Sequence, residues 1–139
     1  MIRVFCDAAF KPETLEVGLG YTYMYNEKRV QRKYYISQLA DNHIAEFKCI
    51  RLALEELVKK GLNSELVTLH SDSQIVMDSI DKAFVKNDLY KDELTLILNL
   101  INQFSMIFCQ WIPESQNRSA DHLARQALKK QGQVMKLNH

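Results

Sequence analysis

The feature that most constrains the fold of this chain is a change of hydrophobic period near Asn42. Before it, apolar residues recur at every second position; after it, they recur every three to four. The first part must therefore build strands, and the chain beyond Asn42 must begin with a helix. Ile2 to Asp7 alternates Ile2, Val4 and Cys6 with Arg3, Phe5 and Asp7, which predicts a strand ending in a turn at Lys11-Pro12-Glu13. Val17 to Tyr25 and Val30 to Leu39 are rich in Tyr, Val and Ile and are joined at Asn26-Glu27-Lys28, so the first three strands form an antiparallel meander. Asn42 to Lys60 then carries Ile44, Phe47, Ile50, Ala53, Leu54, Leu57 and Val58 at helical spacing, with Asp41 or Asn42 as cap and Gly61 as stop.

Beyond this helix the order becomes strand, helix, helix, strand, helix. Leu66 to His70 is a short apolar strand that enters a helix bearing Ile75, Val76, Ser79 and Ile80 through the turn Ser71-Asp72-Ser73-Gln74. Leu89 to Phe104 predicts a further helix, and Met106 to Ile112 a strand stopped by Pro113. Ala120 to Gln131 predicts a last amphipathic helix with Asn117 as its N-cap. A right-handed crossover through the long helix lays the fourth strand beside the first. The fold class is thus α/β, a five-stranded mixed sheet in the order 3-2-1-4-5 flanked by helices. Winding reverses between strands one and four, and ligands of open sheets bind at the carboxyl ends of strands at such a point. Asp7 and Asp72 stand at those two ends.

Composition narrows the class. The 139 residues suit one domain, expected over residues 1–131, with residues 132–139 as a flexible tail. Hydrophobic residues at 47% and charged residues at 25% exclude a disordered or low-complexity chain. Leu94 to Ile101 is far short of the roughly 20 residues of a membrane span, and the N-terminus meets Asp7 before any signal-like apolar run, so a cytoplasmic location is expected. Cys6, Cys49 and Cys109 are odd in number, widely spaced and set among apolar residues, as reduced core thiols are. Eighteen basic residues against 17 acidic ones give a net charge of +1, without the strongly basic footprint of a dedicated nucleic-acid binder.

Three of the acids have ordinary structural readings when taken singly. Asp7 could serve its turn, Asp72 could cap a helix, and Asp121 could answer a helix dipole. Glu46 is different. Its helical neighbours include Cys49 and Ile50, its face continues through Ala53 and Leu57, and no Lys or Arg stands three or four residues away. An ionised carboxylate on that face needs a partner or a metal. If the long helix packs over strands one and four, Asp7, Glu46 and Asp72 converge, with Asp121 arriving from the last helix. Only hard divalent cations bound through oxygen, Mg²⁺ or Mn²⁺, make such a cluster tolerable. Carboxylate sites of that kind hold two ions about 3.5–4 Å apart for phosphodiester hydrolysis.

With these acids in place, the chain resembles the ribonuclease H type 1 family over nearly its whole length. The resemblance is carried by Val4-Phe5-Cys6-Asp7-Ala8-Ala9, Asn42-His43-Ile44-Ala45-Glu46, Ser71-Asp72-Ser73-Gln74, and Trp111-Ile112-Pro113 followed by Asn117-Arg118-Ser119-Ala120-Asp121-His122-Leu123-Ala124. It implies a metal-dependent endonuclease, monomeric, that cuts the RNA strand of an RNA–DNA hybrid. Asp7, Glu46, Asp72 and Asp121 would be its catalytic metal ligands for two Mg²⁺ or Mn²⁺ ions. Asn42, His43, Ser73, Gln74 and Asn117 would contact substrate, where donors and acceptors in the minor groove sense the 2′-OH. His43 stands where the family often has a second Asn.

Two departures mark a compact branch of the family. The basic, Trp-containing protrusion of many members is missing, and Lys82, Lys86 and Lys91 interleave instead with Asp81, Asp88, Asp92 and Glu93 as a solvated face. The loop Pro113-Glu114-Ser115-Gln116 lacks the family's His, a part that Glu114 could take, and His122 reads as surface. Two alternatives stay open: a nucleic-acid-binding module of the same fold that does not cut, and a structure-specific DNA nuclease. Ser73-Gln74 after Asp72 favours the RNA-directed branch.

Overall fold

Strands β1 (Ile2–Lys11), β2 (Glu16–Tyr25) and β3 (Lys28–Ile36) pair as an antiparallel meander in the computed structural model, which describes residues 1–129. The two-residue connection Asn26-Glu27 has positive φ at both positions, the backbone whose twist matches a tight hairpin. β1 runs four residues past Asp7 because Ala8 to Lys11 continue to pair with β2. β3 begins at Lys28 and stops at Ile36 instead of Leu39, since Val17↔Ile36 is the last rung β2 offers. Leu39 is buried without a strand, its N–H donating to the Leu15 carbonyl.

Helix α1 (Asn42–Lys59) is capped by Asp41, whose carboxylate accepts from the Ile44 N–H at 2.8 Å, and the chain turns away at Gly61 with φ +74°. β4 (Leu66–Ser71) then lies parallel to β1, and after α2 (Gln74–Lys82) and α3 (Asp88–Ile101), β5 (Met106–Trp111) lies parallel to β4. The sheet order is β3-β2-β1-β4-β5, as the crossover argument requires. Residues 83–87 alone join α2 to α3, leaving no room for a protrusion. The 3-10 turns Leu62–Ser64 and Glu114–Gln116 are too short to show a period in sequence. Helix α4 (Arg118–Leu128) closes the fold, two residues earlier than Ala120. The expected end of that helix at Gln131 and the tail 132–139 lie outside the described residues.

The two faces of the sheet are covered differently. On one, Val4, Cys6, Leu19, Tyr21 and Leu69 meet the apolar side of α1, and the Cys49 thiol donates to the Gly20 carbonyl at 3.2 Å. On the other, α4 lies on β2 almost backbone to backbone. A Cβ on Gly18 would stand 2.0 Å from the Ala124 carbonyl oxygen, and one on Gly20 would stand 2.6 Å from the Ala124 nitrogen and 2.7 Å from the Ala120 oxygen. The two glycines and the buried Ala120, Ala124 and Ala127 are therefore one packing device.

Two ionic networks fasten α1. Glu93 is buried and not part of a solvated face: Lys48 donates to it at 2.7 Å and Arg51 also pairs with it, joining α1 to α3. The mixed charges around Glu93 hide this in sequence, because its partners lie on another helix. At the other end, Glu56 accepts from Arg32, Tyr21 and Tyr23 and pairs with Lys60 at 3.0 Å. Burial would raise this carboxyl, but Arg32, the two tyrosines and Lys60 outweigh it and hold it at about 2. All three cysteines are free, with Cys6 and Cys49 buried and Cys109 half-buried.

Two measurements test these packing and ionic contacts. Gly20→Ala should cost about 3 kcal/mol in urea unfolding, because backbone cannot retreat as a side chain can. Glu56→Gln should cost about 3 kcal/mol at pH 7. Because the folded carboxyl titrates below its unfolded value, wild type holds this advantage above about pH 4.5 and loses it as pH falls toward 2, so the two melting curves should converge in acid.

Candidate active site

Each acid reaches the site from a different element. Asp7 lies on β1 opposite Gly20, 7% exposed, at the end where β1 and β4 diverge. Glu46 is in the second turn of α1, pointing inward as its face requires. Asp72 follows the last residue of β4 and is half-buried. It does not cap α2; the Ser73 hydroxyl does, accepting from the Val76 N–H at 3.4 Å. One carboxylate oxygen from each of Asp7, Glu46 and Asp72 lies within 4.8 Å of the others. Asp121 lines the same cavity from the first turn of α4 but stands outside this trio, accepting from Arg125 at 3.1 Å.

The electrostatics fit a site built for a cation. Burial first, and then the charge of Asp72, push the Asp7 carboxyl up to about 8. Burial also raises Glu46, against the pull of Ser73 and His43, and raises Asp72, against the pull of Asn117. His43 Nδ1 is 3.7 Å from Glu46, and the Asn42 amide donates to Glu46 at 3.5 Å, yet neither is a full counter-charge. The trio offers oxygen only, and the soft Cys thiols lie elsewhere. Such a donor set fits Mg²⁺ or Mn²⁺. The contrast with Glu56, on the same helix and fully partnered, separates a carboxylate that holds the fold from one left wanting a cation.

The residues expected at substrate divide into two groups. Asn42 lines the cavity, Gln74 is exposed at the start of α2, and His43 is half-buried with its ring edge-on to Tyr90. Ser73 is buried as a cap. Asn117, expected as the cap of the last helix, makes no side-chain cap to α4, and its side chain is buried at 1% exposure. Its amide instead donates to the Cys6 carbonyl at 2.8 Å and to Asp72 at 3.5 Å, tying the ends of β1 and β4 to the start of α4, while its Oδ1 is buried without a hydrogen-bond partner among the described residues. An Asn just before a helix reads as a cap from sequence, because both neighbours it serves are remote.

Sequence reasoning also missed two supports. The Trp111 indole donates to the Asp72 carbonyl at 3.1 Å, and the Ile112 N–H donates to the Ser71 carbonyl at 3.0 Å, so the end of β4 is held by the end of β5. Tyr90 donates to Asp41 at 2.6 Å, fixing the cap of α1 from α3. Glu114 lines the cavity from its 3-10 turn and His122 is exposed on α4. His70 is buried in the sheet, stacked on Phe5, with Nδ1 3.1 Å from the Val4 carbonyl. Among the described residues, no helix is long and apolar enough to cross a membrane.

Comparison with known proteins agrees with this geometry. The family model described as "Reverse transcriptase-like" matches residues 6–127. "Putative hydrolase EbsB" of Enterococcus faecalis is 40% identical over 130 residues, 94% of this chain and 96% of that protein. Among solved structures, RNase H1 from Halobacterium salinarum superposes with a TM-score of 0.82 at 23% identity, over 93% of this chain and 98% of that one. LC11-RNase H1 in complex with RNA/DNA hybrid gives 0.83 at 20% identity, over 94% and 98%. At these identities the structural likeness is one of fold. With the acids gathered at the switch point and the family match running from β1 through α4, the chain belongs to the reverse transcriptase-like family and carries the ribonuclease H type 1 fold.

Proposed function

We propose that the protein is a metal-dependent endonuclease that hydrolyses the RNA strand of RNA–DNA hybrids, acting as a cytoplasmic monomer. The observation that carries this reading is the trio Asp7, Glu46 and Asp72, three converging carboxylates raised by burial and given no full counter-charge by the fold. The hybrid seen bound to LC11-RNase H1, on the same fold, supports the choice of substrate.

In this reading Asp7, Glu46 and Asp72, with Asp121 from α4, would hold two Mg²⁺ or Mn²⁺ ions. Such ions, when bound, supply a water of lowered pKa and stabilise charge on the attacking and leaving oxygens of an in-line displacement. The chain itself supplies position. Asp7, on the central strand, meets the acids of α1 and β4 within 4.8 Å, and Asn117 joins Asp72 to β1. Asn42, in the lining of the acid cavity, and Gln74, exposed two residues after Asp72, present amides that can donate to and accept from a 2′-OH. In this reading those contacts select the RNA strand, and Glu114, exposed in the cavity lining, would exchange protons with solvent.

The deciding assay offers hybrid, double-stranded RNA and double-stranded DNA with Mg²⁺ or Mn²⁺. Cleavage of the RNA strand in hybrid alone is expected; binding without cleavage, or cutting of duplex DNA, would favour one of the two alternatives. Asp7→Asn should abolish hybrid cleavage while the protein stays folded, and retention of a tenth of the activity, about 1.4 kcal/mol of barrier, would contradict its role. At pH 8.5, above the raised Asp7 carboxyl, Asp72→Asn should raise the melting temperature of the metal-free protein by relieving repulsion. Mg²⁺ should then raise the melting temperature of wild type more than that of the variant, because binding to the native state stabilises it by mass action. Equal shifts would argue against a shared site.

A further inference from the structure

The chain has six arginines. Three are committed to carboxylates: Arg32 to Glu56, Arg51 to Glu93 and Glu55, and Arg125 to Asp121. The other three, Arg3, Arg29 and Arg118, are exposed, and none has a hydrogen bond or ion pair among the described residues. These three come together. Arg3 and Arg29 line a cavity of about 380 Å³ with Met1, Phe5, Thr22 and Met24, and Arg118 lines an adjoining cleft with Phe5, Ser115 and Gln116. Phe5 and Ser119 belong to both, and among the described residues no carboxylate lines either.

Strand register explains the gathering. Phe5 is opposite Thr22 and Met24 is opposite Arg29, so Arg3, Phe5, Thr22, Met24 and Arg29 share the sheet face on which α4 sits, beyond the start of that helix. Asp7 is on this face too, two residues past Phe5 and hence about 6.6 Å further along β1. The 3-10 turn Glu114–Gln116 divides the two regions: Glu114 lines the acid cavity, and Ser115 and Gln116 line the arginine cleft. In a molecule of net charge +1, a groove with three unpaired guanidinium groups, an aromatic and apolar floor and no acid is complementary to an anion with apolar faces. A single polynucleotide strand has that chemistry, phosphates for the rim and bases for the floor, whereas a duplex keeps its bases inside.

We infer that this groove binds a single-stranded stretch of nucleic acid flanking the hybrid, crossing the Glu114–Gln116 turn from the acid site. The inference rests on the proposed function only for where the strand comes from. It supplies phosphate contacts that the missing basic protrusion does not.

The test uses the full chain and the triple variant Arg3→Gln/Arg29→Gln/Arg118→Gln, which should keep its melting temperature because the three side chains hold nothing in the fold. Binding of a fluorescent single-stranded oligodeoxynucleotide is measured by anisotropy without divalent metal over a range of salt. The variant should bind at least tenfold more weakly, and the slope of log affinity against log salt should fall by about 2. Cleavage is then compared on blunt hybrid and on hybrids with a 5′ or 3′ single-stranded extension. Wild type should show a lower KM for one extended substrate at unchanged kcat, and the variant should not. No single-strand binding by wild type, equal binding by the variant, or an effect of the variant confined to blunt hybrid would overturn the inference. Displacement of the oligonucleotide by none but other nucleic acids would support it, and preferential binding of a poly-glutamate peptide would overturn it. Absence of all hybrid cleavage with arginine-dependent strand binding intact would count against the proposed hydrolysis and leave the groove standing.

Discussion

The arrangement of the site depends on how closely α4 approaches β2. A helix on a sheet normally stands off by the thickness of two layers of side chains, and here both layers have been removed: Gly18 and Gly20 on the strand, Ala120, Ala124 and Ala127 on the helix. Because the helix lies so low, the short segment from Ile112 to Asn117 suffices to cross the ends of β4 and β1. Asn117 can then reach the Cys6 carbonyl and Asp72 together. Asp121, one turn on, enters the acid cavity for the same reason. Raising the helix by one methyl group would withdraw all of these contacts at once.

The acids are held close at an energetic disadvantage that the rest of the molecule must absorb. Carboxylates gathered in a half-dry cavity repel and lose solvation, which is why their protonated forms are favoured. The offset comes from the apolar core between the sheet and α1, and from the Glu56 and Glu93 networks that bind α1 to β2, β3 and α3. One helix thus carries a carboxylate satisfied by four partners near its end and one left almost bare near its start. Strong anchoring at one end allows unfavourable placement at the other.

Much of this is legible in the chain. The change of period near Asn42 predicts the meander and the long helix, and the right-handed crossover predicts the sheet order and the convergence of Asp7, Glu46 and Asp72. Side-chain alternation and helix periodicity are local, so a single pass along the chain can read them. What escapes is contact between segments far apart. Gly18 and Gly20 carry no signal that a helix a hundred residues later will lie on them, and Asn117 reads as a cap because its true partners belong to β1 and β4. Glu93 reads as solvated since its cations are on α1, and the three free arginines come from two strands and a helix whose register must be known before they can be seen to meet.

The bond from Tyr90 to Asp41 has a consequence for motion. Helix ends fray more readily than helix centres, and local opening is cheapest where few tertiary contacts oppose it. In α1 the cap itself is gripped by a neighbouring helix, and Phe47 packs its ring against the same tyrosine at 5.3 Å. The first turn, which carries Asn42 and His43 and leads into Glu46, therefore cannot open without separating α1 from α3. The Ile44 and Ala45 amides, both bonded to Asp41, should exchange with solvent as slowly as those of the helix interior, and Glu46 just beyond them stays registered with the strands through fluctuations that would loosen an unpinned end.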